Sequence, residues 1–389
     1  MINDYHFPVD HCYVCVIYCM YCAGTANKIT IACELREISD VITIKEIAKR
    51  CNVSPSTVSN ILNGKSNVGD KTRQRVLECV EETGYQPNFY AQSIRSKSSR
   101  TISIITEDLT VFGTNPVVES IMAYCDDNNY RTILMNLRLY SKWKSTWFHD
   151  DEKVKSELKP ILQEALSIRV NGIIYVAGHC RLIDYFPKNY PVPIVISYGQ
   201  SKDNAFPSVI IDDEKGGYDT AKYMISKGHK EFGIIAGAPD NLHTISRLLG
   251  LQKALYEEGI PYNPDLVFYG DWKREAGYRG TKKLIGNGIT AVFCMNDAMA
   301  AGAYDYLYET GISIGKDLSV IGYDNMELAE YLRPGLTTNG IQLSDIGKKS
   351  AEILINSIQR PDKGNRETSV HKVPCRIFER ESVEDINLR

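Results

Sequence analysis

The chain has 389 residues, 43% of them hydrophobic and 24% charged, with a net charge of −3. At roughly 100 to 200 residues per domain this suits two or three globular domains and excludes whole-chain disorder, collagen and coiled coil. The most apolar stretch, Tyr13 to Ala23, is shorter than the roughly 18 residues a membrane span needs and has no basic region before it, so neither a span nor a secretory signal is predicted and the cytoplasm is expected.

The first 40 residues hold five of the eleven cysteines. Cys12, Cys15, Cys19 and Cys22 form two CxxC pairs three residues apart, a set that could gather four thiolates around zinc or an iron–sulfur cluster. That separation is far shorter than in a structural zinc knuckle. The expectation is therefore no metal and a poorly ordered extension over residues 1–40, or a stretch never translated if initiation falls near Val41. Cys51, Cys79, Cys125, Cys180, Cys294 and Cys375 are scattered singly and read as buried thiols of a reducing compartment.

Residues 41–100 carry ten Lys and Arg against five acids, a balance of +5 inside an acidic chain. A basic module on an acidic body suggests that the module meets phosphate and the body something else. Thr43 and Glu46 fit a capping box at the start of a helix that turns Ile44, Ile47 and Ala48 to one side. Asn52 suits a left-handed exit, and Ser54 with Pro55 opens a second short helix to Leu62 with Val53, Val58 and Ile61 or Leu62 inward. Two short helices at a tight turn make a helix-turn-helix. The outer face of the second offers Ser56, Thr57, Ser59, Asn60 and Asn63, small hydrogen-bonding groups suited to base edges and phosphates in a major groove. Any one of them alone reads as solvated surface; together, in a basic segment, they favour DNA. A third helix, Asp70 to Thr83, is expected to pack Val76, Leu77 and Val80 inward, to present Lys71, Arg73 and Arg75 to phosphate, and to end at Gly84.

The stretch ITIKEIAKRCNVSPSTVSNILNGKSNVGDKTRQRVLECVEETGYQPNFYAQSIRSKSSRTISII resembles the start of the LacI/GalR family of bacterial transcription regulators along its whole length. The resemblance implies a headpiece over 41–87 and a hinge over 88–100 that becomes helical on DNA, with Asn88, Ala91, Gln92 and Ile94 at the minor groove. Ile94 stands where the family usually places a wedging leucine; a β-branched residue is a shorter wedge and a slightly poorer helix former. Asn60 stands where many relatives carry a basic or imidazole group, so their base preference does not transfer.

Beyond Arg100, short apolar runs alternate with helical spacing: 102–105, 132–135, 172–176, 194–196, 209–211, 232–236, 266–269, 291–294 and 318–322. Such alternation indicates doubly wound parallel sheets, and so many strands suit two of them with a ligand cleft between. Dinucleotide, P-loop, zinc-protease and nucleophile-elbow motifs are missing, and no cofactor is expected. The body looks like a binder rather than an enzyme. It resembles the same family's periplasmic-binding-protein-like type I effector domain through SVIIDDEKGGYDTAKYMISKGHKEFGIIAG, SRLLGLQKAL, FCMNDAMAAGAYDYL, LSVIGYDN and RPGLTTNGIQLSDIGKKSAEIL.

The fold class implied is thus a small all-α helix-turn-helix headpiece plus an α/β body of two subdomains. One would take about 101–210 and 343–367, the other about 211–340 and 371–389, with three crossings as the hinge. Matched motif by motif, the resemblance makes Arg247 the effector-binding arginine and Trp272 an aromatic beneath the ligand. Asn296 and Asp324 follow strands, where they could serve a ligand or the turn itself. Phe112 is a weaker wall candidate, and Asn241 and His243 replace residues used by purine-binding relatives, which favours a sugar. The resulting expectation is a homodimeric, or tetrameric, sugar-responsive repressor on nucleoid DNA, reading a near-palindromic double-stranded operator, with no membrane partner. Release of DNA by the sugar is the commoner family behaviour. The alternative is a solute-binding receptor of a sugar transport system, which leaves the basic module without a purpose.

Overall fold

Thr43 and Glu46 do cap each other: the Thr43 N–H donates to the Glu46 carboxylate at 2.6 Å, and the Glu46 N–H donates to Thr43 Oγ1 at 3.4 Å, opening α1 (Ile44–Arg50). The computed structural model describes residues 42–62, 64, 68–85, 99–144, 146–360 and 369–388. The expected extension over 1–40, with its CxxC pairs, and the hinge positions Asn88, Ala91, Gln92 and Ile94 lie outside the described residues, as does Asn63.

Asn52 leaves α1 with φ 46°, and Ser54 Oγ accepts from the Thr57 N–H at 3.1 Å to start α2 (Pro55–Leu62). Helix α3 (Asp70–Thr83) stops at Gly84, whose φ of 61° puts it in the left-handed region where a side chain would be strained. Ile47, Ala48, Cys51, Val58, Ile61 and Val76 make the headpiece core, with Val53 and Val80 at its edge. Leu77, expected inside, is 45% exposed. It follows the buried Val76 and so points about 100° away around the helix.

Headpiece and body are separate compact units. In the body, β1 (Thr101–Thr106), β2 (Arg131–Asn136), β3 (Gly172–Val176), β5 (Ile194–Ser197), β7 (Ser208–Ile211) and β13 (Val370–Val373) form one parallel sheet in the order β13-β7-β5-β3-β1-β2. A short pair, β4 (Leu182–Ile183) and β6 (Gln200–Ser201), lies beside it in sequence. The second sheet runs β14-β12-β11-β10-β8-β9. Its strands are β8 (Phe232–Ala236), β9 (Val267–Tyr269), β10 (Ala291–Cys294), β11 (Ser319–Asp324), β12 (Thr337–Gly340) and β14 (Arg376–Phe378), and only β14 is antiparallel to its neighbour. All nine apolar runs are strands. Helices α4 (Thr114–Asp127) and α12 (Leu343–Gln359) cover the first sheet. Helices α7 (Asp213–Ser226), α8 (Leu242–Glu257), α9 (Arg274–Leu284) and α10 (Asp297–Thr310) cover the second. The remaining helices are α5 (Leu139–Trp143), α6 (Asp151–Ser167) and α11 (Leu328–Tyr331).

The chain passes between the two lobes three times, after β7, after β12, and between β13 and β14. The first lobe extends further than expected, because Ile211 and residues 370–373 pair within its sheet and the last crossing falls at 374–375. Strand β13 reads VHKV, which offers no apolar run to find. Among the described residues no helix is long and apolar enough to cross a membrane, and no cluster of three or more His, Cys, Asp or Glu could hold a metal.

Candidate functional site

On the headpiece, Ser54, Pro55 and Ser56 are exposed, while Thr57, Ser59 and Asn60 are half-buried. Ser54 Oγ lies 2.6 Å from Ser56 Oγ and 2.8 Å from Thr57 Oγ1, so three hydroxyls cluster at the N-terminus of α2. Lys71 and Arg75 are exposed and Arg73 half-buried on the next helix. The Thr43 hydroxyl is engaged by the Glu46 carboxylate at 3.0 Å. This face offers small hydrogen-bonding groups at a helix start together with basic side chains, the chemistry of a nucleic-acid surface.

In the body, the strands' carboxyl ends converge on one buried constellation. Helix α8 begins at Leu242, which places His243 and Arg247 within it. Arg247 is 3% exposed: Nε donates to the Asp213 carboxylate at 2.7 Å, Nη1 donates to the Met295 carbonyl, and Nη2 is 3.9 Å from Asp324. The guanidinium stacks 3.6 Å over the Tyr323 ring and lies 5.8 Å from that of Trp272. Gly217 on α7 makes this approach possible, because a Cβ there would sit 2.1 Å from the Arg247 carbonyl oxygen. Trp272 has φ 66°, and its indole fills the space over Gly237, where a Cβ would come within 2.0 Å of the ring. It is half-buried, not core.

The charges are deliberately unequal. Burial works against an ionised Asp213, yet Arg247, then His243, hold its carboxyl below the usual range. Burial likewise opposes the charge on Arg247, and Asp213 outweighs it, so the guanidinium is held more firmly protonated than usual. Burial pushes the Asp324 carboxyl well above the carboxylate range, against the pull of Arg247. Asp297, at the start of α10, is pushed by burial to about 6.

The structure thus brings His243, Arg247, Trp272 and Asp324 together. Asn296 joins them indirectly: it caps α10 through the Met299 N–H at 2.8 Å and donates to the Trp272 carbonyl at 2.9 Å, so it is turn chemistry that steadies the aromatic. Asn241 caps α8, accepting from the His243 N–H at 2.9 Å. Phe112 is 41% exposed after β1, with no contact to this group among those described. Four participants escaped the sequence reading: Asp213, Tyr198, Tyr323 and Cys180. Asp213 comes two residues after β7, as Asn296 comes two after β10, so the same strand-end argument applied to VIIDD would have found it. Tyr198 follows β5 with φ 61°, and its ring lies 5.9 Å from that of His243.

This polar, aromatic-walled group is suited to grip a small hydroxylated molecule, and among the described hydrogen bonds of the His243 ring none is to a nucleophilic side chain. The description "Bacterial regulatory proteins, lacI family" matches residues 43–88, and "Periplasmic binding protein-like domain" matches residues 221–383. The chain is 31% identical over 350 residues to the HTH-type transcriptional repressor PurR of Vibrio atlanticus, covering 89% of this chain and 99% of that one. It superposes on the lac repressor dimer bound to operator and the anti-inducer ONPF with a TM-score of 0.73 and 25% identity, covering 88% and 99% of the two chains. A LacI family regulator from Enterococcus faecium with bound ribose aligns with a TM-score of 0.57 and 25% identity over 73% of this chain and 99% of that one. The chain belongs to the lacI family and is a DNA-binding transcriptional repressor, not an enzyme.

Proposed function

We propose that the protein acts in the cytoplasm as a homodimer whose two headpieces read a near-palindromic operator, and that a small sugar or sugar derivative held between the lobes controls its grip. The observation that carries the effector reading is the buried Arg247–Asp213 pair beside Trp272, with the Asp324 carboxyl 3.9 Å from the guanidinium. Paired charges, a further carboxyl and an aromatic face match the alternating hydroxyls and apolar faces of a pyranose or furanose. An anion would find Arg247 already neutralised by Asp213. The ribose-bound Enterococcus faecium relative supports a sugar in the same fold. On the headpiece, Ser54, Pro55, Ser56, Thr57, Ser59 and Asn60 would meet bases and nearby phosphates, with Thr43, Lys71 and Arg73 on the backbone; Asn63, Asn88, Ala91, Gln92 and Ile94 complete the DNA set. The lobes are read as 101–211 with 343–373, and 212–342 with 374–389.

The test is a mobility-shift titration of the full chain on operator-length duplexes at low salt, with ribose as the first of a panel of neutral sugars. A shifted complex whose midpoint moves with one sugar is expected. No complex under any condition would sink the reading, and a complex indifferent to every sugar would sink its effector half.

A further inference from the structure

The cleft is bridged by the protein itself. His243 belongs to α8 in the second lobe, and its Nε2 accepts a hydrogen bond at 3.2 Å from the backbone N–H of Cys180, which follows β3 in the first lobe. Both residues are buried. Asp213 lies 2.7 Å from the other ring nitrogen, Nδ1, and takes its proton in a hydrogen bond, which leaves the Nε2 lone pair for the amide. Asp213 is itself fixed by Arg247 Nε at 2.7 Å. Tyr198 from the first lobe and Trp272 from the second flank the imidazole with ring centroids 5.9 and 6.5 Å away. The imidazole therefore couples a rigid ion pair of one lobe to a main-chain donor of the other. Both partners belong to the chain, so the tie needs no third molecule.

We propose that His243 is a built-in latch that holds the lobes together through the Cys180 amide, and that an effector works by competing with that amide for Nε2. The proposal rests on the reading of the cleft as the effector site. It also narrows the effector: in this tautomer Nε2 only accepts, so the group that replaces Cys180 must be a donor, a hydroxyl or an N–H, and a carboxylate or phosphate oxygen cannot take the place.

The test is hydrogen exchange of the full chain with no added ligand, resolved to the Cys180 amide, in wild type, His243→Ala and His243→Phe. The phenylalanine keeps a ring between Tyr198 and Trp272 while removing both nitrogens. Loss of one buried hydrogen bond predicts exchange at Cys180 roughly two- to thirteenfold faster in both variants, with small-angle scattering showing wider lobes and the β8 amides still protected. Equal protection in wild type and His243→Phe would overturn the latch, since packing alone would then hold the contact. Should the variants fail to fold, wild type decides alone: a Cys180 amide exchanging at the unprotected rate refutes the proposal. Because no sugar enters the measurement, its outcome is independent of whether any sugar moves the mobility shift.

Discussion

Arg247 shows how much one buried side chain organises. It neutralises Asp213, covers Tyr323 and takes up the Met295 carbonyl. Truncation to alanine would leave the Asp213 carboxylate buried without its cation, which costs about 3–5 kcal/mol when one partner of a buried pair is removed. Arg247→Ala should therefore lose both the sugar response and that much unfolding free energy in urea, and Arg247→Ala with Asp213→Ala should recover part of the stability. A single variant as stable as wild type would show that the pair contributes nothing to folding. Asp297 makes a pH prediction of opposite sign to Asp213. Its carboxyl is raised by burial to about 6, so between about pH 4 and 6 the unfolded chain has lost a proton that the folded chain keeps. Stability then falls as pH rises through that window, by about 2–3 kcal/mol at about 1.4 kcal/mol per unit, and stays lower above it. Asp213, lowered by Arg247 and His243 against burial, stabilises above its unfolded value and loses that contribution as pH falls. Asp297→Asn should remove the falling component; urea midpoints of variant and wild type that shift alike between pH 4.5 and 7 would contradict it.

Elements were legible wherever local chemistry and burial agreed. The Thr43–Glu46 box, the Asn52 turn and Gly84 mark helix ends by backbone need alone, and seven of the nine apolar strands are buried almost throughout, β2 and β9 being partly exposed. Strand β12 was illegible because it is buried yet polar. Its Thr338 hydroxyl donates to Asp297 at 2.6 Å, and its Asn339 amide donates to the Gly216 carbonyl at 2.8 Å and to Thr220 at 3.0 Å, so partners far along the chain make TTNG tolerable inside. The same applies to the site. Arg247 and Trp272 stand in recognisable motifs, whereas Cys180 contributes only a main-chain N–H, which no residue type announces. Caps also assign roles: the Thr43 hydroxyl is occupied in starting α1. Thr43→Ala should lower headpiece stability by about 1 kcal/mol, seen as a lower melting midpoint of the helical signal in the isolated DNA-binding transition. A weaker DNA complex with no change in that midpoint would make Thr43 a contact rather than a cap.

At the scale of the molecule, the site lies on the pivots. Asp213 comes two residues after the end of β7 at the first crossing, and Cys375 in the third crossing places its sulfur 3.1 Å from the hydroxyl of Tyr323, whose ring lies under Arg247. A molecule bound among these groups acts directly on the segments about which the lobes must turn. Whatever free energy it contributes differently to two lobe arrangements is the only free energy available to change the grip on DNA. That coupling is reciprocal: if a sugar weakens operator binding by some factor, saturating operator must weaken the sugar by the same factor, typically about 5- to 150-fold. Titrating ribose, or whichever neutral sugar moves the mobility shift, into the protein with and without saturating operator should return that factor in the sugar's Kd. Unequal factors would mean that the cycle contains a third equilibrium, and dimer dissociation is the first to measure, because its contribution would change with protein concentration whereas a purely intramolecular lobe movement would not.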